Sequence, residues 1–214
     1  FVRKRKKQCY INTWHGGLGL KKIEQDAIDK LSDYYKKSAP HDSSMIDVMI
    51  SNSKYRTNLF KKSFWYNGEI YECGCPRNDI FFKKNVQSEI ERKVKGYYKI
   101  SSNSKIILYA PTFRLKSDFN YDSIDYNFLI NELEKNNNEK YVFMIRLHSK
   151  VANIKLPENI INATFYPDTD ELLLASDILI SDYSSIMFDF LYTNRPVYLY
   201  APDYDLYNDE RGLN

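Results

Sequence analysis

Short apolar runs alternate with stretches of helical period along the whole chain. Runs at 9–13, 46–50, 70–73, 105–110, 141–146, 178–180 and 197–200 predict strands, and the patterns at 20–36, 54–64, 79–95, 123–135, 170–175 and 185–192 predict helices. Short strands spaced by helices imply parallel crossover units, and therefore an α/β fold. A polar break lies in the middle. Cys75-Pro76-Arg77-Asn78-Asp79 ends one strand and offers Asp79 as a helix cap, and Ser101-Ser102-Asn103-Ser104 precedes the strong strand KIILYAP. The pattern predicts two α/β lobes, 1–78 and 79–214, with a cleft between them.

Composition narrows the class. Of the 214 residues 43% are hydrophobic and 28% charged, a globular balance that can bury a core. Nothing approaches the ~18 continuous apolar residues of a membrane span. The net charge of +3 is too small to point to nucleic acid. RKRKK at 3–7 is either a solvated face or a contact for an anionic membrane or polymer. Cys9, Cys73 and Cys75 form neither an even disulfide framework nor a zinc set, and read as reduced thiols of a cytoplasmic protein. His41, in Ser38-Ala39-Pro40-His41-Asp42, reads as a surface histidine in a turn-like linker. No metal or cofactor is expected. The chain opens at Phe1 and closes on Asp209-Glu210-Arg211-Gly212-Leu213-Asn214, which reads as a fragment of a longer protein.

In parallel sheets ligands bind beyond the carboxyl ends of the strands, so the polar residues just after strands carry the functional signal. Four such places stand out. In Thr13-Trp14-His15-Gly16-Gly17-Leu18-Gly19 a histidine that titrates near neutrality meets a glycine-rich turn, which suits a general base or a self-capped loop. In Tyr109-Ala110-Pro111-Thr112-Phe113-Arg114, Thr112 and Arg114 project from one side of an extended loop. There they suit phosphate oxygens, or Arg114 pairs with a nearby carboxylate. In Arg146-Leu147-His148-Ser149-Lys150, alternation puts two cations and a histidine on one face, for a phosphate-bearing ligand or a solvated edge. Finally, Ser181-Asp182-Tyr183-Ser184-Ser185 joins an apolar strand to a helix. Its hydroxyls and first amide groups either cap the helix or hold an anion.

Taken in order, WHGGLGLKKIEQDA, SNSKYRTNLFKKSF, GCPRND, LYAPTFR, RLHSK, DELLLASDILISDYSSIMFDF and YNDERG resemble the CDP-glycerol glycerophosphotransferase family of teichoic acid and capsule polymer transferases. The resemblance implies a GT-B-like fold of two Rossmann-type lobes, here lacking the start of the N-terminal lobe. The first lobe would face the acceptor and the second would hold the donor. It implies transfer of glycerol phosphate, or a related polyol phosphate, from a CDP-polyol to the hydroxyl end of a lipid-linked polymer, with release of CMP. By motif match His15 would be the base, and His148 would act on the donor phosphates. Thr112, Arg114, Ser184 and Ser185 would hold the diphosphate, and Asp182 would set loop geometry or meet a donor hydroxyl. Peripheral contact with the inner face of the plasma membrane is also implied. The family commonly has His-Gly-Thr before its Pro-Leu-Lys and a Pro after the second histidine. Here the first loop is one residue longer and Ser149 stands at the second place, which leans toward a capsule or surface-polymer relative. Two other readings share this sequence: a sugar-nucleotide glycosyltransferase with a UDP- or GDP-sugar donor, and a non-catalytic nucleotide- or polymer-binding module.

Overall fold

The computed structural model describes residues 3–15, 19–114, 121, 123–151 and 155–214, with the backbone alone of Lys84. They form two compact units, Phe1–Asn78 with Asp203–Asn214, and Asp79–Pro202.

In the first unit, three parallel strands lie in the order β1 (Ile11–Asn12), β2 (Val48–Ser51) and β3 (Glu69–Glu72). Helix α1 (Asp33–Ser44) precedes β2, and α2 (Lys54–Ser63) follows it. Ile46, Met49, Phe60, Phe64 and Tyr66 make the core, with Trp14 packed against it.

The helix expected over 20–36 is divided. A 3-10 segment covers Glu24–Lys30, and α1 starts only after Ser32, whose hydroxyl accepts from the Tyr35 N–H at 3.3 Å. A Ser N-cap outweighs the continuing apolar period, because it satisfies a donor that no helical carbonyl reaches. Helix α1 then runs through Pro40, so His41 lies in its last turn and not in a linker. The proline costs the helix one main-chain hydrogen bond, and the helix still buries Ser38, Ala39 and Ser43.

The last segment departs from the expected lobe boundary. Helix α7 (Tyr204–Arg211) and the residues after it belong with the first unit, not with residues 79–202. Tyr207 is buried under the Lys21 ammonium, 5.5 Å from its ring centre, and Leu213 bridges Lys21.

The second unit is a five-stranded parallel sheet in the order β6-β5-β4-β7-β8. Its strands are β4 (Ser104–Ala110), β5 (Lys140–Ile145), β6 (Ile161–Asn162), β7 (Ile178–Ser181) and β8 (Val197–Leu199). Ile106, Ile107, Leu108 and Tyr109 are fully buried, as expected for a central parallel strand covered on both faces. Helices α3 (Lys84–Tyr97) and α5 (Thr169–Ala175) pack together, tied by Lys93 Nζ to Glu171 at 2.6 Å. Helix α4 (Tyr126–Asn137) lies against β5.

Asp79 does not cap the helix after the seam. It sits inside a 3-10 segment, Pro76–Phe82, and α3 begins two residues after it ends. From β4 the chain steps outward through β5 to β6, then returns to the other side of β4 for β7 and β8. The sheet therefore reverses its order between β4 and β7, and a doubly wound fold opens its ligand crevice at that reversal.

Candidate active site

The sequence candidates fall into two groups, one in each unit, and all follow the carboxyl ends of parallel strands. In the second unit they surround the reversal point. Ala110 and Ser181 are register partners on β4 and β7, and the Ser181 hydroxyl donates to the Ala110 carbonyl at 2.8 Å.

Immediately beyond, the two loops are locked together. Asp182 accepts from the Thr112 N–H at 2.8 Å, from the Tyr183 N–H at 2.6 Å and from Arg114 Nη2 at 2.8 Å. The Asp182 carboxylate is wholly buried, and the Arg114 side chain is 5% exposed. Arg114 also donates through Nη1 to the Thr112 carbonyl and lies over the Tyr183 ring, 4.9 Å from its centre.

This geometry sharpens two expectations. Of the options open for Asp182, the structure supports loop geometry. Arg114 turns inward to the carboxylate reading and does not stand out from the loop as a fork for phosphate. Thr112 Oγ1 is buried with no hydrogen-bond partner among the described residues, which leaves one hydroxyl at the reversal point uncommitted.

Ser184 and Ser185 follow β7 and are partly exposed. The expected helix over 185–192 resolves into α6 (Ile186–Phe190) and a 3-10 turn, Leu191–Thr193. Ser185 occupies the N-cap position without a side-chain cap bond, while Ser184 Oγ accepts weakly from the Ile186 N–H at 3.4 Å. So short a helix adds little dipole, and hydroxyls and main-chain donors are what this junction offers.

His148, after β5, is exposed beside the Phe113 ring at 5.0 Å between centres. Its Nδ1 accepts the Lys150 N–H at 3.2 Å, which fixes the proton of the neutral ring on Nε2. Lys150 Nζ lies 5.6 Å from the Phe113 ring centre. Arg146 does not share a free face with them. Its guanidinium donates to the Ala163 and Tyr166 carbonyls at 3.0 and 2.9 Å, clamping the turn before α5, and burial lowers its pKa.

The first unit carries His15, directly after Trp14. Trp14 holds a left-handed φ of 54°, a strained state for a bulky residue that costs on the order of 1–3 kcal/mol. The Trp14 N–H donates to Asn12 Oδ1 at 2.7 Å, and its ring meets Phe64 edge-on at 4.8 Å, which together hold that backbone. The His15 ring lies 4.4 Å from Trp14. His15 is exposed by surface area, yet crowding strips enough water from the ring to be the largest cause of a pKa below the usual 6.5; Arg77, Arg56 and Lys21 lower it further. Gly16, Gly17 and Leu18, the rest of the expected turn, lie outside the described residues.

Comparison with known proteins assigns the chain. The family model for CDP-glycerol:poly(glycerophosphate) glycerophosphotransferase matches residues 1–214. The chain belongs to that family. Among glycerophosphotransferase relatives, it is 36% identical to a teichoic acid poly(glycerol phosphate) polymerase of Bacillus spizizenii, over all of this chain and 57% of that protein. The structure of the wall teichoic acid polymerase TagF matches with a TM-score of 0.81 at 32% identity, over 99% of this chain and 54% of that one. A histidine-to-asparagine variant of TagF soaked with CDPG matches equally, with a TM-score of 0.81 at 34% identity over 99% of this chain and 53% of that one. The chain thus spans about half the length of these glycerophosphotransferase relatives. The α/β, GT-B-like class with parallel sheets that the sequence implied is the class of this fold.

Sequence reasoning assigned no role to Arg56, Arg77 or Tyr183. Arg56 had a signal, since it falls in the first turn of the helix that follows a predicted strand.

Proposed function

We propose that the protein containing this chain transfers glycerol phosphate, or a related polyol phosphate, from a CDP-polyol to the hydroxyl end of a lipid-linked teichoic acid or capsular polymer. The observation that carries this reading is the Arg114–Asp182 lock at the sheet reversal. It holds Thr112 and the Ser184–Ser185 junction side by side at the carboxyl ends of β4 and β7. A diphosphate suits that place. The uncommitted Thr112 hydroxyl, the two serine hydroxyls and the main-chain amides supply donors, and Arg114 acts on them through Asp182.

His148 presents Nε2–H as a donor for the phosphate oxygens that gain charge as CMP departs. His15 is the base for the acceptor hydroxyl, since a pKa held below 6.5 leaves its imidazole unprotonated at neutral pH. The acceptor oxygen bonds to the phosphorus that carries the polyol, and the pyrophosphate P–O bond breaks with its electron pair leaving on CMP. His15 takes the hydroxyl proton. The TagF variant soaked with CDPG supports a cytidine donor.

Arg3, Arg5, Lys6 and Lys7 are exposed and suit an anionic membrane face near a lipid-linked acceptor, where the protein would sit peripherally on the cytoplasmic side. Among the described residues no helix is long and apolar enough to cross a membrane.

Calorimetry tests the donor assignment. CDP-glycerol or CDP-ribitol is expected to bind, and UDP- and GDP-sugars are not. The double variant Ser184→Ala/Ser185→Ala is expected to weaken CDP-polyol binding by about 100-fold or more, equivalent to two lost hydrogen bonds to a charged group. Unchanged affinity would remove the serines from the donor site, and preferential binding of a UDP-sugar would move the protein to the glycosyltransferase reading.

A further inference from the structure

Arg56 is 2% exposed, and among the described residues no carboxylate pairs with it. Burying a guanidinium without a counter-charge is costly, and an apolar side chain of similar volume would fill the space without that cost. Its contacts show where the charge is used. Arg56 stands in the first turn of α2, directly after β2, the central strand of its sheet. Nη2 donates to the Thr13 carbonyl at 3.2 Å, two residues before His15 on the β1 side. Nη1 donates to Cys75 Sγ at 2.9 Å, two residues before Arg77 on the β3 side. The guanidinium lies over the Phe60 ring, 4.8 Å from its centre, one turn along α2.

The loops after β1 and β3 leave strands that are not neighbours, so no sheet ladder joins them. Arg56 spans the gap from the strand between. We propose that Arg56 is a positioning residue: it ties the His15 loop to the Arg77 loop at the carboxyl end of this sheet and fixes the imidazole for catalysis. The proposal rests on the reading of His15 as the base.

Two further observations agree with it. Trp14 keeps a strained left-handed backbone immediately after the carbonyl that Arg56 holds, and such a backbone persists only where its surroundings over-determine it. The charged groups that act on His15 are Arg56, Arg77 and Lys21, all cationic, so Arg56 also helps keep the ring unprotonated.

The test uses Arg56→Met and Arg56→Lys in the full-length protein, with the His15 NMR signal assigned from a His15→Gln variant. Arg56→Met is expected to lower kcat roughly 10–100-fold, as for a misplaced catalytic group, with KM for CDP-glycerol unchanged. It should also move the His15 titration to higher pH, because a cation has been removed. Arg56→Lys keeps the charge but cannot bridge both loops, so the titration should stay near wild type while kcat still falls. Wild-type kcat and titration in Arg56→Met would overturn the proposal. If Arg56→Met does not fold, Arg56→Lys decides alone: reduced kcat supports the proposal and wild-type kcat overturns it. Should His15→Ala prove active, the base reading fails, while the NMR titration still reports whether Arg56 acts on His15.

Discussion

His15→Ala is expected to lower polymer extension by roughly 10²- to 10⁴-fold, the range for loss of a general base, while CDP-glycerol binds as it does to wild type. The split follows from placement. His15 stands after β1 in the first unit, whereas the hydroxyls and amides proposed for the diphosphate stand at the β4–β7 reversal of the second. The pH dependence has a definite sign. Crowding, then Arg77, Arg56 and Lys21, hold the imidazole pKa below 6.5. The base is therefore unprotonated at pH 7, and the rate should fall only as pH drops through that lowered value. Loss of CDP-glycerol binding in His15→Ala, or an acid limb above pH 6.5, would contradict the assignment.

Asp182→Ala is expected to cost the second unit about 3–5 kcal/mol, the usual penalty for removing one partner of a buried ion pair. Arg114 is 5% exposed on its side chain, so its guanidinium would lose the Asp182 carboxylate inside the protein. Two main-chain amides, of Thr112 and Tyr183, would lose their acceptor as well. Thermal melting should show the loss, and calorimetry should show weaker donor binding, because the β4 and β7 loops are no longer held together. Arg114→Met combined with Asp182→Ala should melt above Asp182→Ala alone, since the buried guanidinium is removed together with its carboxylate. A wild-type melt for Asp182→Ala would mean that the pair does not organise the junction.

How far the sequence reaches depends on the kind of feature. The buried strands announced themselves: the run at 106–110 is apolar throughout because β4 is covered on both faces. Strand β6, of two residues, is too short to leave a pattern and was not predicted. Helix ends were harder, because several signals compete. Ser32 stops a periodic segment, Pro40 fails to stop one, and Asp79 has the chemistry of a cap without the position.

The candidate residues were found by their place after strands, but their orientation was not. Arg114 and Arg146 have the chemistry to meet a phosphate, and the fold turns one to Asp182 and the other to two carbonyls. A guanidinium satisfies either kind of partner, so residue type alone cannot choose between them. The affiliation of Asp203–Asn214 with the first unit was also beyond pattern reading, because it depends on Tyr207 meeting Lys21 from the opposite end of the chain.

The most direct test is transfer itself, measured on the full-length protein with CDP-glycerol, CDP-ribitol and UDP-sugars each supplied with a lipid-linked polyol-phosphate acceptor. One CMP released for each polyol phosphate added to the acceptor is the expected result, with UDP-sugars untouched. Turnover of a UDP-sugar, or no release of CMP from either cytidine donor, would contradict the assignment as a polyol-phosphate transferase.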